Sequence, residues 1–118
     1  MAMPWQVDFH PEFLPEFEGY SETVQNEVAA LIKVLSAFGP LLKRPHADTL
    51  KGSKFSNMKE LRFEADNGVW RLAFAFDPRR KAILLVAGDK SGVAPGRFYK
   101  GLIKRADARF AEHMRSLK

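Results

Sequence analysis

The hydrophobic positions of this chain change between a period of two and a helical period, and these changes mark its elements. In chain order, the pattern predicts a strand over Pro4–His10, a short helical stretch over Pro11–Phe17, a helix over Ser21–Phe38, strands over Met58–Glu64, Val69–Phe76 and Lys81–Gly88, and a helix over Pro95–Leu117. This order, β-α-α-β-β-β-α, predicts a mixed sheet with helices packed on it, within one domain over residues 1–118.

The most informative segment is the hairpin from Met58 to Phe76. Asp66-Asn67-Gly68 is a hairpin turn signal between its two strands. Side chains alternate between the faces of a strand, so an aromatic face of Trp70, Leu72, Phe74 and Phe76 is expected to meet a core. The opposite face then holds Arg62 and Arg71, with Arg71 directed to solvent. Because the guanidinium donates several hydrogen bonds and stays charged, two arginines on one face indicate an anion site.

The remaining segments are defined by where they lie and how they end. Lys81–Gly88 is continuously apolar, which predicts an inner strand covered on both sides. The turn Asp77–Arg80 precedes it. The stretch Pro40–Asn57 is predicted to be a long basic loop, and long loops beside a sheet are often functional, although a plain mobile loop is the alternative.

The charge is distributed unevenly along the chain. Residues 1–50 carry three Lys/Arg and seven Asp/Glu, whereas residues 51–118 carry sixteen and seven. The positive charge therefore lies on the same half as the arginine hairpin, which favours a nucleic acid or an acidic protein as partner. A solvated lysine surface is the alternative. Five glutamates are expected on helices behind the sheet, where they either repel RNA or form a solvated face: Glu12, Glu16, Glu18, Glu22 and Glu27.

Several classes of protein are disfavoured by what the sequence lacks. There is no cysteine, so no disulfide framework or thiol nucleophile is possible. The three histidines have no metal-ligand spacing, and neither a metal nor another cofactor is expected. No apolar run reaches the roughly 18 residues of a membrane span, and the first residues do not predict a signal peptide. A cytoplasmic protein with no membrane partner is therefore expected.

A set of cations with a tyrosine remains as the candidate chemistry. The candidate catalytic residues are Lys59, Arg62, Arg71, Lys90 and Tyr99, and the candidate RNA-binding residues are Lys51, Lys54, Arg97, Lys100 and Lys104. RNA cleavage by its own 2′-hydroxyl fits such a site, because the protein need only stabilise charge on the phosphate and move protons. The alternative is structural: Arg62 and Arg71 pair with Glu60 or Glu64, Lys90 is a strand-end solubiliser, and Tyr99 caps the core.

Several motifs together resemble the RelE/ParE superfamily of toxins, and most of all its HigB-like, phage-derived branch. They are LKG at Leu50–Gly52, KELRF at Lys59–Phe63, GVWR at Gly68–Arg71, FAFDPRRKAILLVAGDKSG at Phe74–Gly92 and FYKGLIKRADARF at Phe98–Phe110. The resemblance covers nearly the whole chain in order. It implies a RelE-like α+β fold, in which a small curved, mostly antiparallel sheet is flanked by N-terminal helices and a C-terminal helix.

The same resemblance implies a function and its partners. It implies a ribosome-dependent endoribonuclease, an mRNA interferase, that cuts mRNA without metal and is inhibited by a helix-turn-helix antitoxin. Arg62, Arg71 and Lys90 fall on positions associated with the active face, whereas strict alternation puts Lys59 on the opposite face. The superfamily also includes ParE-like gyrase inhibitors without catalysis, and an inactive antitoxin-binding relative is a further alternative. The segment Asp89–Gly92 offers one lysine beside an acid, where many members carry two basic residues.

Overall fold

A computed structural model describes residues 4–118 as one five-stranded sheet with helices on both faces. The elements are β1 (Gln6–Phe9), α1 (Phe13–Glu18), α2 (Glu22–Phe38), a 3₁₀ turn (Gly39–Leu41), β2 (Ala47–Thr49), β3 (Lys59–Ala65), β4 (Gly68–Phe76), β5 (Lys81–Asp89) and α3 (Pro95–Ser116). The strand order is β1-β5-β4-β3-β2, with β1 parallel to β5 and every other pair antiparallel. The predicted α+β fold class and mixed sheet are confirmed.

The predicted elements match the structure closely, with one strand added. The segment Pro40–Asn57 is not only a loop, because it contains β2, whose three residues pair with Lys59–Leu61 of β3. So short a strand cannot show a hydrophobic period of its own. Ser21 is the N-cap of α2, since its hydroxyl accepts a hydrogen bond from the backbone N–H of Val24 at 3.2 Å.

The β3–β4 hairpin forms because its turn residues adopt backbone conformations that few residues tolerate. Asp66 and Asn67 both have positive φ, 53° and 60°. These angles suit the two-residue turn that matches the twist of antiparallel strands. The turn fixes the register of the hairpin, which places Arg62 directly opposite Arg71.

Two apolar layers cover the sheet, one on each face. On one face, Leu72 and Phe74 of β4 belong to a cluster with α1 and α2, and Trp70 and Phe76 pack at its margin. The predicted aromatic face is thus confirmed. On the other face, α3 covers Ala73 and Ala75 with Leu102, Ala106 and Phe110. The inner position predicted for β5 is also confirmed, since it lies between β1 and β4 and is buried along most of its length.

The three helices are short or amphipathic. None of them, within the described residues 4–118, has both the length and the apolar composition needed to cross a bilayer.

Candidate functional site

Two arginines lie opposite each other on the α3 face of the sheet. Arg62 of β3 and Arg71 of β4 are cross-strand partners. Like charges in directly opposed positions repel each other, so the pair requires a nearby anion. The alternation of β3 supplies one, because Glu60 lies two residues before Arg62 and therefore on the same face.

Glu60 is the internal partner of both arginines. Its residue is only 3% exposed, and its Oε2 lies 2.6 Å from Nη1 of Arg62 and 3.9 Å from Nε of Arg71. Its other oxygen, Oε1, is buried and has no hydrogen-bond partner among residues 4–118. A buried carboxylate between two guanidiniums leaves a local charge of +1, so this cluster still attracts an anion.

Tyr99 completes the cluster from the first turns of α3. The Nε–H of Arg71 donates to the Tyr99 hydroxyl oxygen at 3.3 Å. The start of α3 can approach β5 because Gly88 has no side chain, and a Cβ there would lie 3.0 Å from the Phe98 ring. Burial raises the pKa of Tyr99, and the charge of Glu60 acts in the same direction against the hydrogen bond from Arg71. Tyr99 therefore keeps its proton at neutral pH.

The prediction that Arg71 faces solvent is wrong. The residue is 6% exposed, because Tyr99 and Glu60 surround its side chain. Its Nη1 also donates to the carbonyl of Trp70 at 2.8 Å. Arg62, with a side chain 23% exposed, is the more accessible of the two arginines. Period-two alternation identifies the face of a residue but does not show that a later helix covers it.

We call the cluster of Glu60, Arg62, Arg71 and Tyr99 the arginine site. Beside it lies an open cavity of about 440 Å³. The cavity is lined by Glu60, Arg62 and Tyr99 together with Arg44, Asp48, Thr49, Leu50, Lys51, Pro95 and Gly96. Because α3 begins at its rim, the partial positive charge of a helix N-terminus adds to that of the arginines. The arrangement can bind a phosphate and donate hydrogen bonds to it.

The other two catalytic candidates lie outside this cluster. Lys90 follows β5 directly, its backbone N–H donates to the Val69 carbonyl at 2.8 Å, and it does not line the cavity beside the arginine site. Lys59 is paired in register with Phe74, whose side chain belongs to the α2-side core. Lys59 is therefore on the face opposite the arginines, as strict alternation predicts, and cannot join the site.

Three of the five candidate RNA-binding residues surround a second cavity of about 600 Å³, between the Gly52–Phe55 loop and α3. We call it the lysine groove, and its lining is Gly52, Lys54, Phe55, Lys100, Ile103, Lys104, Asp107, Ala108 and Ala111. Lys51 instead lines the cavity at the arginine site. Arg97 is exposed in the first turn of α3 and lines neither cavity.

The sequence pattern only partly revealed the acids that organise these cations. Glu60 pairs with both arginines, as the structural alternative predicts, whereas Glu64 is exposed and forms no salt bridge within the described residues. Glu16, predicted to lie on a solvated or RNA-repelling helix face, instead forms salt bridges with Arg109 at 2.6 Å and Arg105 at 2.9 Å. Hydrogen bonding to Arg109 lowers the pKa of Glu16. No local signal connects these residues, because they are far apart in the chain.

One group of side chains has the composition of a metal site. The ligand atoms of His10, Glu12 and Glu112 lie within 4.8 Å of one another. However, Nδ1 of the buried His10 accepts a hydrogen bond from the backbone N–H of Glu12 at 3.1 Å. A neutral ring then carries its proton on Nε2, which is 3.5 Å from Glu112. A cation would have to displace that proton, so the geometry favours a hydrogen-bonded cluster.

Comparison with known proteins identifies the family. Residues 15–111 match the family described as phage derived protein Gp49-like. Two proteins of Mycobacterium tuberculosis named putative toxins are each 48% identical to the chain: HigB2 over 74% of the chain and HigB3 over 70%. The aligned region is 43% of the length of HigB2 and 69% of that of HigB3, so the chain spans less than half of the first of these relatives.

Solved structures share the fold at low sequence identity. A mutant of the Escherichia coli toxin RelE in the free state is similar with a TM-score of 0.62 at 15% identity, over 87% of this chain and 98% of that one. A chain of an archaeal RelE–RelB complex from Pyrococcus horikoshii is similar with a TM-score of 0.55 at 13% identity, over 77% of this chain and 100% of that one. These likenesses establish a RelE-like fold. With the family match, they show that the chain belongs to the phage-derived Gp49-like family, in the HigB-like branch of the RelE/ParE superfamily.

Proposed function

We propose that this chain is the toxin of a toxin–antitoxin pair, and that it cuts mRNA on the ribosome without a metal ion. The observation that carries the proposal is the arginine site, where two guanidiniums and a protonated tyrosine converge beside an open cavity. Arginine, with its planar fork of donors, is suited to hold a phosphate in one orientation.

In the proposed reaction, the 2′-oxygen of the RNA attacks the neighbouring phosphorus. The bond from phosphorus to the 5′-oxygen breaks, which leaves a 2′,3′-cyclic phosphate and a 5′-hydroxyl. A proton leaves the 2′-hydroxyl, and a proton is added to the departing 5′-oxygen. The protein must therefore stabilise negative charge on the phosphorane oxygens and provide a hydrogen-bond donor for the leaving oxygen.

The geometry suggests a role for each member of the site. Arg62 is the accessible cation and is suited to bind the phosphate first. Arg71 is fixed by Glu60 and Tyr99, so it is held ready to stabilise developing charge. Tyr99 lines the cavity and keeps its proton, so it is suited to donate a hydrogen bond to an oxygen of the substrate. Glu60 balances the arginines before RNA binds.

The family relationship supports an antitoxin as protein partner. RelB accompanies RelE in the archaeal complex that shares this fold. We propose that a small antitoxin of the helix-turn-helix class likewise forms a complex with this chain and keeps it inactive.

The test is to map the 5′ ends of cellular mRNA after induction of the protein. We expect cuts at defined positions within translated codons for the wild type, and loss of both cuts and growth arrest for Arg62→Ala. The matched control is Arg115→Ala, which removes an exposed arginine that forms no salt bridge within residues 4–118. Growth arrest with intact mRNA and an early loss of DNA supercoiling would favour a gyrase inhibitor instead.

A further inference from the structure

The lysine groove gathers three unpaired cations around one cavity, which Lys54, Lys100 and Lys104 all line. No salt bridge involving them is present within residues 4–118, where Lys81 is the lysine that pairs with an acid, Asp8. Unpaired cations around one cavity repel each other, and an external polyanion would relieve that repulsion.

The single acid in the groove is already occupied. Asp107 is buried on α3, where its Oδ1 accepts from the Ser53 hydroxyl and its Oδ2 accepts from the backbone N–H of Lys54 at 3.0 Å. Asp107 therefore anchors the loop to the helix instead of neutralising a lysine. The anchored loop gives the groove a fixed wall.

The floor of the groove is apolar and held in place. The Phe55 ring packs edge-on against Phe110 of the core, with ring centroids 4.9 Å apart. Ile103 lies against Gly52, where even a Cβ would make van der Waals contact at 3.4 Å. Ala108 and Ala111 line the groove with small side chains. A volume of about 600 Å³ falls in the range of pockets that take small organic molecules, which suits a nucleoside.

The groove and the arginine site follow each other along two segments of chain. Lys51 lines the cavity at the arginine site, and the next residue, Gly52, lines the groove. On α3, Tyr99 likewise lines the cavity at the arginine site, and the next residue, Lys100, lines the groove. A strand whose phosphate lies on the arginines can therefore continue into the groove without leaving the protein surface.

We propose that the lysine groove binds a neighbouring nucleotide of the same single-stranded RNA, with its base on the floor of Phe55 and Ile103 and its phosphates among the three lysines. This inference rests on the proposed function, since it assigns a second subsite for the same substrate class. Apolar and aromatic surfaces bind bases of any type, whereas lysines bind the backbone as point charges. The groove thus adds affinity with little sequence preference.

The first test is binding of a fluorescently labelled 2′-O-methyl oligouridylate, which cannot be cleaved because it lacks the nucleophile. We compare the wild type with the triple variant Lys54→Gln, Lys100→Gln, Lys104→Gln over a range of salt. Each lost phosphate contact lowers the salt slope by about 0.7 for single strands, so we expect a decrease of about 2. The charge-matched control is Lys33→Gln, Lys43→Gln, Lys118→Gln, all exposed and outside both cavities, which should leave the slope nearly unchanged.

The second test separates the base subsite from general charge. Ala108→Glu places a carboxylate in the groove, whereas Ala108→Gln places a neutral group of the same size there. We expect about tenfold weaker oligonucleotide binding for the acid and a much smaller loss for the amide, because a carboxylate in the groove repels the RNA phosphates. Ala108 is an exposed helix position, and both residues are good helix formers, so the fold should be kept.

Three results would overturn this inference: no measurable binding by the wild type, an equal loss with the control triple variant, or equal binding by both Ala108 variants. If the groove instead binds an acidic protein, the triple glutamine variant should lose binding of that protein and keep oligonucleotide binding. These binding tests and the mRNA mapping can fail separately. If Arg62→Ala abolishes cleavage while the groove variants bind RNA normally, the groove assignment fails and the proposed function stands.

Discussion

The arginine site and the lysine groove carry the same sign of charge but are built in opposite ways. In the arginine site the cations are buried or half-buried and depend on Glu60, which is itself buried. In the lysine groove the cations are exposed, and the acid beside them is committed to the loop backbone. The first arrangement fixes the geometry of the site and couples it to folding. The second arrangement has little effect on the stability of the fold, so its lysines can be substituted without loss of structure.

The largest expected effect is the loss of the shared acid. Glu60→Ala leaves two mostly buried guanidiniums without an anion, and breaking a buried pair in this way costs about 3–5 kcal/mol of unfolding free energy. Urea denaturation measures the loss. The triple glutamine variant of the lysine groove should change by less than about 0.5 kcal/mol, as surface substitutions do. Equal losses of unfolding free energy in the two regions would contradict the distinction between a buried and an exposed cation site. If Glu60→Ala does not fold, Glu60→Gln, which keeps the shape of the side chain, serves as a milder variant.

The next effect is on activity without loss of charge. Arg71→Lys keeps the positive charge near Glu60 but removes the Nε–H that donates to Tyr99 at 3.3 Å. If oriented hydrogen bonding carries the chemistry, mRNA cleavage should fall by about 100-fold or more, as for other lost transition-state donors. Translation-coupled cleavage in a cell extract measures the rate. Near-normal cleavage would mean that the site acts through charge alone, as we expect of the groove.

A smaller effect should follow from releasing the wall of the lysine groove. Asp107→Ala removes the acceptor for Ser53 and for the backbone N–H of Lys54. We expect a loss of about 1–2 kcal/mol of unfolding free energy, since hydrogen bonds to a charged group are broken. Oligonucleotide affinity should weaken with it although no lysine has changed. If affinity is retained, the groove does not need a fixed wall.

The smallest effect concerns the titration of Tyr99. Burial and Glu60 raise its pKa above the ordinary value of 10.0, so the folded protein binds this proton more tightly than the unfolded chain does. This contribution to stability is present below about pH 10 and is lost as pH rises through the folded pKa. Stability should therefore decline on the alkaline side, and less steeply in Tyr99→Phe. Thermal unfolding against pH checks this, and identical profiles would place Tyr99 in an ordinary environment.

The sequence predicted the framework of the molecule better than the environment of its site. The turn at Asp66-Asn67, the cap at Ser21 and the apolar run of β5 are local signals, so they could be recognised directly. The pairing of Arg62 with Arg71 followed from the same hairpin. Burial of Arg71 could not be predicted, because it depends on α3, which comes later in the chain and approaches through Gly88.

Long-range pairs explain the other misses. The sequence around Glu16 does not predict its pairing with Arg109, and the sequence around Asp107 does not predict its contact with Ser53. Each contact is made only when the whole sheet is formed. The same holds for Asp77 and His113, joined at 2.8 Å across the turn before β5 and the end of α3. The strand β2 was not predicted for a different reason: its three residues, which pair with Lys59–Leu61, are too few to show a hydrophobic period.

The parallel pairing of β1 with β5 has a consequence for the order of folding during synthesis. Gln6 has no strand partner until Lys81 has been made, although β3 and β4 can pair as a local hairpin much earlier. Contacts of such high sequence separation form late. Both arginines can thus be in place on a nascent chain that lacks Tyr99 and the closing helix. The arginine site is therefore complete only when α3 has been made and has docked, which brings the Tyr99 hydroxyl to Arg71.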